Sequence, residues 1–153
     1  MHRDLLKIPK KLTQVTLWVH PEGRVVGSLF LRPLGPNVPR EEEPSDVLNT
    51  ADPFLVLKRD NPDELRFYNK SSVVRVEYGE ETPVAAGEVQ ILSCTLHLMD
   101  GSLIAGTIRK ALAPDRSRLF DYLNLHDERF VKVNYDDDSV CLVNKAYITC
   151  VTP

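Results

Sequence analysis

Residues 120–133 read FDYLNLHDERFVKV, and residues 45–57 read SDVLNTADPFLVL. Both carry aspartate, any residue, leucine and asparagine, then a second aspartate and a phenylalanine that opens a hydrophobic run. Asp46 and Asp121, Leu48 and Leu123, Asn49 and Asn124, and Asp52 and Asp127 are each 75 residues apart. Asn69 and Asn144, Lys70 and Lys145, and Val76 and Val151 keep the same spacing, and Phe54 and Phe130 miss it by one. Upstream, Gly23 answers Gly101 and Gly27 answers Gly106 at slightly larger offsets, because the first copy has the longer proline-rich loop. So many landmarks in one order predict a tandem duplication.

Hydrophobic periodicity around the phrase predicts strands. Val15 to Val19 alternate with period 2, Pro21 and Gly23 supply a turn, and Val25 to Leu31 resume the extended pattern. Residues 32–46 hold four prolines and three consecutive glutamates, which suits an exposed loop. Ser45 is read as the N-cap of a single helical turn that Asn49 closes in a left-handed conformation. Phe54 to Leu57 form an apolar strand, and the stretches ELRFYN and SSVVRVEY meet at Asn69-Lys70, read as a tight hairpin. After the small, acidic stretch 79–88 the order begins again, with Asp100-Gly101 as a turn and Asp115 as the expected cap of the second helix.

The expected fold is therefore mainly β: two copies of a small five-stranded curled sheet or barrel, each with one short helix after its second strand. The expected boundaries are an N-terminal arm (1–14), a first repeat (15–78), a linker (79–88) and a second repeat (89–153). At 17.3 kDa the chain can bury one sizeable core or two very small ones.

The string RLFDYLN, Arg118 to Asn124, followed by Asp127, Phe130 and a late Asn144-Lys145, resembles an uncharacterised bacterial β-rich domain family with an R-L-x-D-x-L-N core. The second half matches it through Arg118, Leu119, Asp121, Leu123 and Asn124. The first half keeps Asp46, Leu48 and Asn49 but has Glu43 where the arginine stands. The resemblance implies a small β-rich module with no assigned activity.

Composition narrows the function classes. A net charge of −3 and a pI of about 5.8 give no global positive field for phosphate backbones. The first residues show neither a secretory signal nor a membrane span. Cys94, Cys141 and Cys150 lack metal-binding spacing and suit reduced thiols in a bacterial cytoplasm. His2, His20, His97 and His126 are scattered, and Asp136–Asp138 lack the spaced ligands of a calcium loop. No catalytic residue, cofactor or metal site is expected. Asp46, Leu48, Asn49, Phe54, Asn69, Arg118, Asp121, Leu123, Asn124, Phe130 and Asn144 are read as structural, the aspartates receiving backbone N–H groups and the leucines plugging the cores.

The function expected is a non-enzymatic interaction or assembly module that pairs with a protein partner or with itself. Leu5, Leu6, Lys7, Ile8, Lys10 and Lys11 are a candidate adhesive arm. The alternative is an Sm-like nucleic-acid-binding barrel, or a barrel that senses a small ligand such as a nucleotide. Nucleic acid is disfavoured: Trp18, Phe67, Tyr68, Tyr122 and Tyr135 are not interleaved with arginine, and acidic runs at Glu41–Glu43 and Asp136–Asp138 oppose phosphate.

Overall fold

A computed structural model describes residues 11–33, 42–80, 90–110, 118–135 and 138–153. The first half supplies β1 (Lys11–Val19), β2 (Gly23–Leu31), α1 (Pro44–Asn49), β3 (Phe54–Asp60), β4 (Asp63–Asn69) and β5 (Val73–Gly79). The second supplies β6 (Gln90–Leu98), β7 (Leu103–Lys110), α2 (Leu119–Leu123), β8 (Phe130–Asn134), β9 (Ser139–Asn144) and β10 (Ile148–Thr152). A 3-10 turn precedes β5 (Lys70–Ser72) and another precedes β10 (Lys145–Tyr147). The protein is thus mainly β, with one short helix after the second strand of each half. Among the described residues no helix is long and apolar enough to cross a membrane.

All strand pairings are antiparallel, and the ten strands form one sheet in the order β10-β6-β7-β8-β9-β5-β1-β2-β3-β4. The expected pair of separate curled sheets or barrels is not what forms: the strands share one open sheet. Each half is laid out fifth, first, second, third, fourth, and neither closes on itself. The reason is a competition for one edge: β5 bonds to β1 on one side and gives its other side to β9 of the second half. Among the described residues β4 has only β3 beside it, and β10 only β6.

Alternating apolar residues build the cores. Val15, Leu17 and Val19 of β1 and Val25, Leu29 and Leu31 of β2 are buried while their neighbours are not, as a half-buried strand requires. They join Leu48 of α1, Leu55, Leu57, Tyr68, Val73, Val76 and Tyr78 in a first core. Cys94, Leu96, Leu98, Ile104, Ile108 and Tyr122 form a second with Val131, Val133, Cys141 and Val143. Strand β9 serves both: Val140 and Leu142 point into the first core, Cys141 and Val143 into the second. Burial on both faces explains its unbroken apolar run.

Two glycines bring strands close. A Cβ at Gly27 would lie 2.5 Å from the Lys58 carbonyl oxygen, and one at Gly106 2.5 Å from that of Asn134. Gly23 and Gly101 turn the β1–β2 and β6–β7 hairpins with φ of 98° and 89°.

Several local expectations are corrected. The cap of α1 is Glu43 rather than Ser45, with its N–H donated to Asp46 Oδ2 at 2.8 Å in a capping box. Neither asparagine ends its helix left-handed: Asn49 is the last helical residue, Thr50 follows extended, and Asn124 has φ −97°. The Asn69-Lys70 step is no hairpin, since β4 and β5 are not paired. Asn69 has φ −72° and its Oδ1 accepts the Ser71 N–H at 2.9 Å, capping a 3-10 turn, as Asn144 does for Ala146 at 3.0 Å. Strand β1 begins at Lys11, inside the expected arm. Leu5, Leu6, Lys7, Ile8 and Lys10 of that arm lie outside the described residues, as do Asp115, Glu41 and Asp136.

Candidate interface at the two ends of the sheet

The repeated phrase proves its use at the junction of the halves. Strands β5 and β9 pair as Arg75 with Val143, Val76 with Leu142, Glu77 with Cys141, Tyr78 with Val140 and Gly79 with Ser139. Asn49, carried at the end of α1, reaches 81 residues along the chain to the first residue of β8. Its Oδ1 accepts the Phe130 N–H at 2.8 Å, and its Nδ2 faces the Phe130 carbonyl at 3.4 Å. Asn144 crosses the other way and donates to the carbonyls of Lys70 (3.2 Å) and Val73 (2.9 Å). Tyr147 donates its hydroxyl to the Ser71 carbonyl at 3.2 Å. The asparagines therefore satisfy backbone across a seam, a role that a capping reading does not reveal.

Charge completes the seam. Lys132 Nζ lies 2.9 Å from Glu80 and 3.9 Å from Glu43. Burial raises the Glu43 carboxyl above its usual range, the Lys132 ammonium opposes that shift, and the Glu80 carboxylate adds to it. Glu43 and Lys132 border a cleft of about 440 Å³ also lined by Asp46, Asn49, Tyr122, Glu128 and Phe130. Asp121 is not part of it. That aspartate pairs instead with exposed Arg118, 3.1 Å away on α2. Among the described residues no group of three histidine, cysteine or acidic side chains could hold a metal.

Residues 75 or 76 positions apart on the β3–β4 and β8–β9 ladders occupy opposite environments. Phe130, Val140 and Leu142 are 0%, 1% and 0% exposed, sealing the first core. Phe54, Leu65 and Phe67, 76, 75 and 75 residues earlier, are 54%, 60% and 69% exposed. With Val56 these last lie on one face of the β3–β4 ladder, since Val56 is opposite Phe67 and Lys58 opposite Leu65. The other face of that ladder turns Leu55, Leu57 and Tyr68 into the core. It also carries ion pairs of Arg59 with Glu22 and of Arg66 with Glu64, both at 2.5 Å.

The opposite end of the sheet is unfinished in a complementary way. Among the described residues only the partly buried Val74 of β5 reaches the second core from the other half, whereas Phe130, Val140 and Leu142 of β8 and β9 are fully buried in the first. Half-buried Leu92, Leu119, Leu123, Ile148 and Val151 fringe it instead. Leu123 is thus only partly a plug, whereas Leu48 is wholly buried. Asn124 has no seam to bridge and donates to its own helix at the Phe120 carbonyl, 2.8 Å away. Cys150, at the outer strand, is an exposed free thiol, while Cys94 and Cys141 are buried.

Leu65, Val140 and Leu142 were not singled out from the sequence, and Phe67 was considered only as a base-stacking aromatic. Their signal was present in the alternation of ELRFYN and in the continuous run VCLV. Comparison with protein-family profiles, characterised proteins and solved structures finds no match for this chain.

Proposed function

We propose that the protein is a non-enzymatic assembly module that engages another protein chain through the ends of its sheet, and that its halves are tandem copies of one unit. One observation carries the reading: Phe54, Leu65 and Phe67 stand exposed beside a strand edge that no described residue pairs with, whereas the residues at the same positions of the second half are fully buried. A free edge offers a row of unpaired backbone N–H and C=O groups, and an apolar face beside it supplies affinity once water is displaced. The recurring strand order and the 75-residue spacing support the duplication. Lys70 and Lys145 are unsuited to phosphate, since their ammonium groups donate inward to Thr50 and to the Leu125 carbonyl.

The test combines affinity capture from native cells with light scattering. Wild-type protein is expected to be recovered with a stoichiometric protein partner or as an oligomer, and Leu65→Glu/Phe67→Glu to lose that association. A wild-type monomer that captures no protein, or one that retains RNA on a filter at low salt, overturns the reading.

A further inference from the structure

Resting on that reading, we infer that the chain occupying the β4 edge, unpaired among the described residues, is β10 of a second copy, joined head to tail by the strand register, apolar faces and asparagine contacts that already join β5 to β9 within one chain.

The internal junction is the template. Moving both of its strands by the 75-residue spacing turns β5 into β10 and β9 into β4. The register Arg75–Val143, Val76–Leu142 and Glu77–Cys141 becomes Cys150 of one copy opposite Tyr68 of the next, Val151 opposite Phe67, and Thr152 opposite Arg66. Faces agree as well as order. Val76 and Leu142 point together into the first core. In the intermolecular junction Val151, which fringes the second core, takes the place of Val76, and Phe67 takes that of Leu142. Phe54 and Leu65 follow as Phe130 and Val140 do, and the second core gains the three apolar side chains it lacks.

The asparagine contacts transfer in the same way. Asn49 holds the first residue of β8, so Asn124 would release the Phe120 carbonyl and hold the backbone of Phe54 in the neighbouring copy. Asn144 reaches back to Lys70 and Val73, so Asn69 would reach the carbonyls of Lys145 and Ile148. The strand edges, apolar faces and asparagines of this junction are thus present on one chain, half at each end of its sheet, while the Lys132 ion pairs and the Tyr147 contact have no counterpart. A contact between unlike ends is heterologous, and it propagates until a ring closes or a filament grows.

The experiment uses full-length chains and light scattering across the micromolar range. Leu65→Glu/Phe67→Glu blocks the β4 end at two solvent-exposed positions. Val151→Asp blocks the β10 end by placing a carboxylate where Phe67 of the neighbour would cover it, and circular dichroism confirms that each variant keeps its sheet. Wild type is expected above the 17.3 kDa monomer, each variant at the monomer mass, and an equimolar mixture of the two variants at twice that mass. Asn124→Ala leaves the core untouched and is expected to raise the dissociation constant of the pair about tenfold. Register is read from Thr152→Cys with Arg66→Cys in a Cys150→Ser background, which should form an intermolecular disulfide because directly opposed residues bring their Cβ atoms within bonding reach. A mixture that stays monomeric, or a β4-blocked variant that still oligomerises, overturns the inference, and a missing disulfide overturns the register. Monomeric wild type that captures a different protein through Phe67 refutes self-assembly while leaving the interaction-module reading intact.

Discussion

The ladders β3–β4 and β8–β9 occupy the same places in their halves, yet one is a rim and the other lies between two cores. Their sequences reflect this only faintly. Phe54, Leu65 and Phe67 are as apolar as Phe130, Val140 and Leu142, and only the neighbour differs: β9 has β5 on its outer side, and among the described residues β4 has only β3. The same side chain can seal a core or adorn an edge, according to what lies one strand away.

The comparison is broken most decisively by alanine. Phe130→Ala is expected to cost about 3–5 kcal/mol, since a fully buried aromatic leaves a cavity. Phe54→Ala should cost under about 0.5 kcal/mol in dilute monomeric solution. Urea unfolding followed by fluorescence measures both, and equal costs would erase the distinction between rim and junction.

A smaller asymmetry belongs to the asparagines. Asn49→Ala strands the backbone groups of Phe130 and is expected to cost about 1–3 kcal/mol. Asn124→Ala removes an exposed contact within one helical turn and should shift the monomer's urea midpoint very little.

The thiols sharpen the contrast at the finest level. Native protein should yield one fast-reacting thiol to Ellman's reagent, Cys150, and all three only after unfolding. Burial at the junction pushes the Cys141 thiol from its ordinary 9.0 up to about 12. Below about pH 9 both folded and unfolded chains keep that proton, so its contribution to stability is fully present. As pH rises toward about 12 the unfolded chain ionises first and stability drains away, by at most about 1.4 kcal/mol per pH unit. Cys141→Ala should flatten that alkaline slope relative to wild type.

Much of this was legible in the residues. Period-2 alternation located β1 and β2, Asp100-Gly101 marked a turn, and the recurring Asp-x-Leu-Asn phrase marked both helical turns. Barrel closure was not legible. Whether β5 bonds to β4 of its own half or to β9 of the other is a contest between distant segments, and no local propensity records its outcome. Asn49 was misread for a related reason. Asparagine at a helix end satisfies a capping rule locally, while its partner is Phe130, far along the chain. Lys70 offered no warning either: a lysine that is 1% exposed is recognised only once Thr50 is seen to receive its ammonium.

The way β9 feeds both cores carries a consequence for synthesis. The first half emerges from the ribosome with a pocket that three later side chains must fill, so its apolar interior stays open until Leu142 has been made. Contacts so far apart in sequence form slowly, and an incomplete sheet meanwhile presents sticky surface to its surroundings. Residues 1–80 expressed alone should therefore precipitate or recruit a chaperone, because the genuine folding unit is the pair.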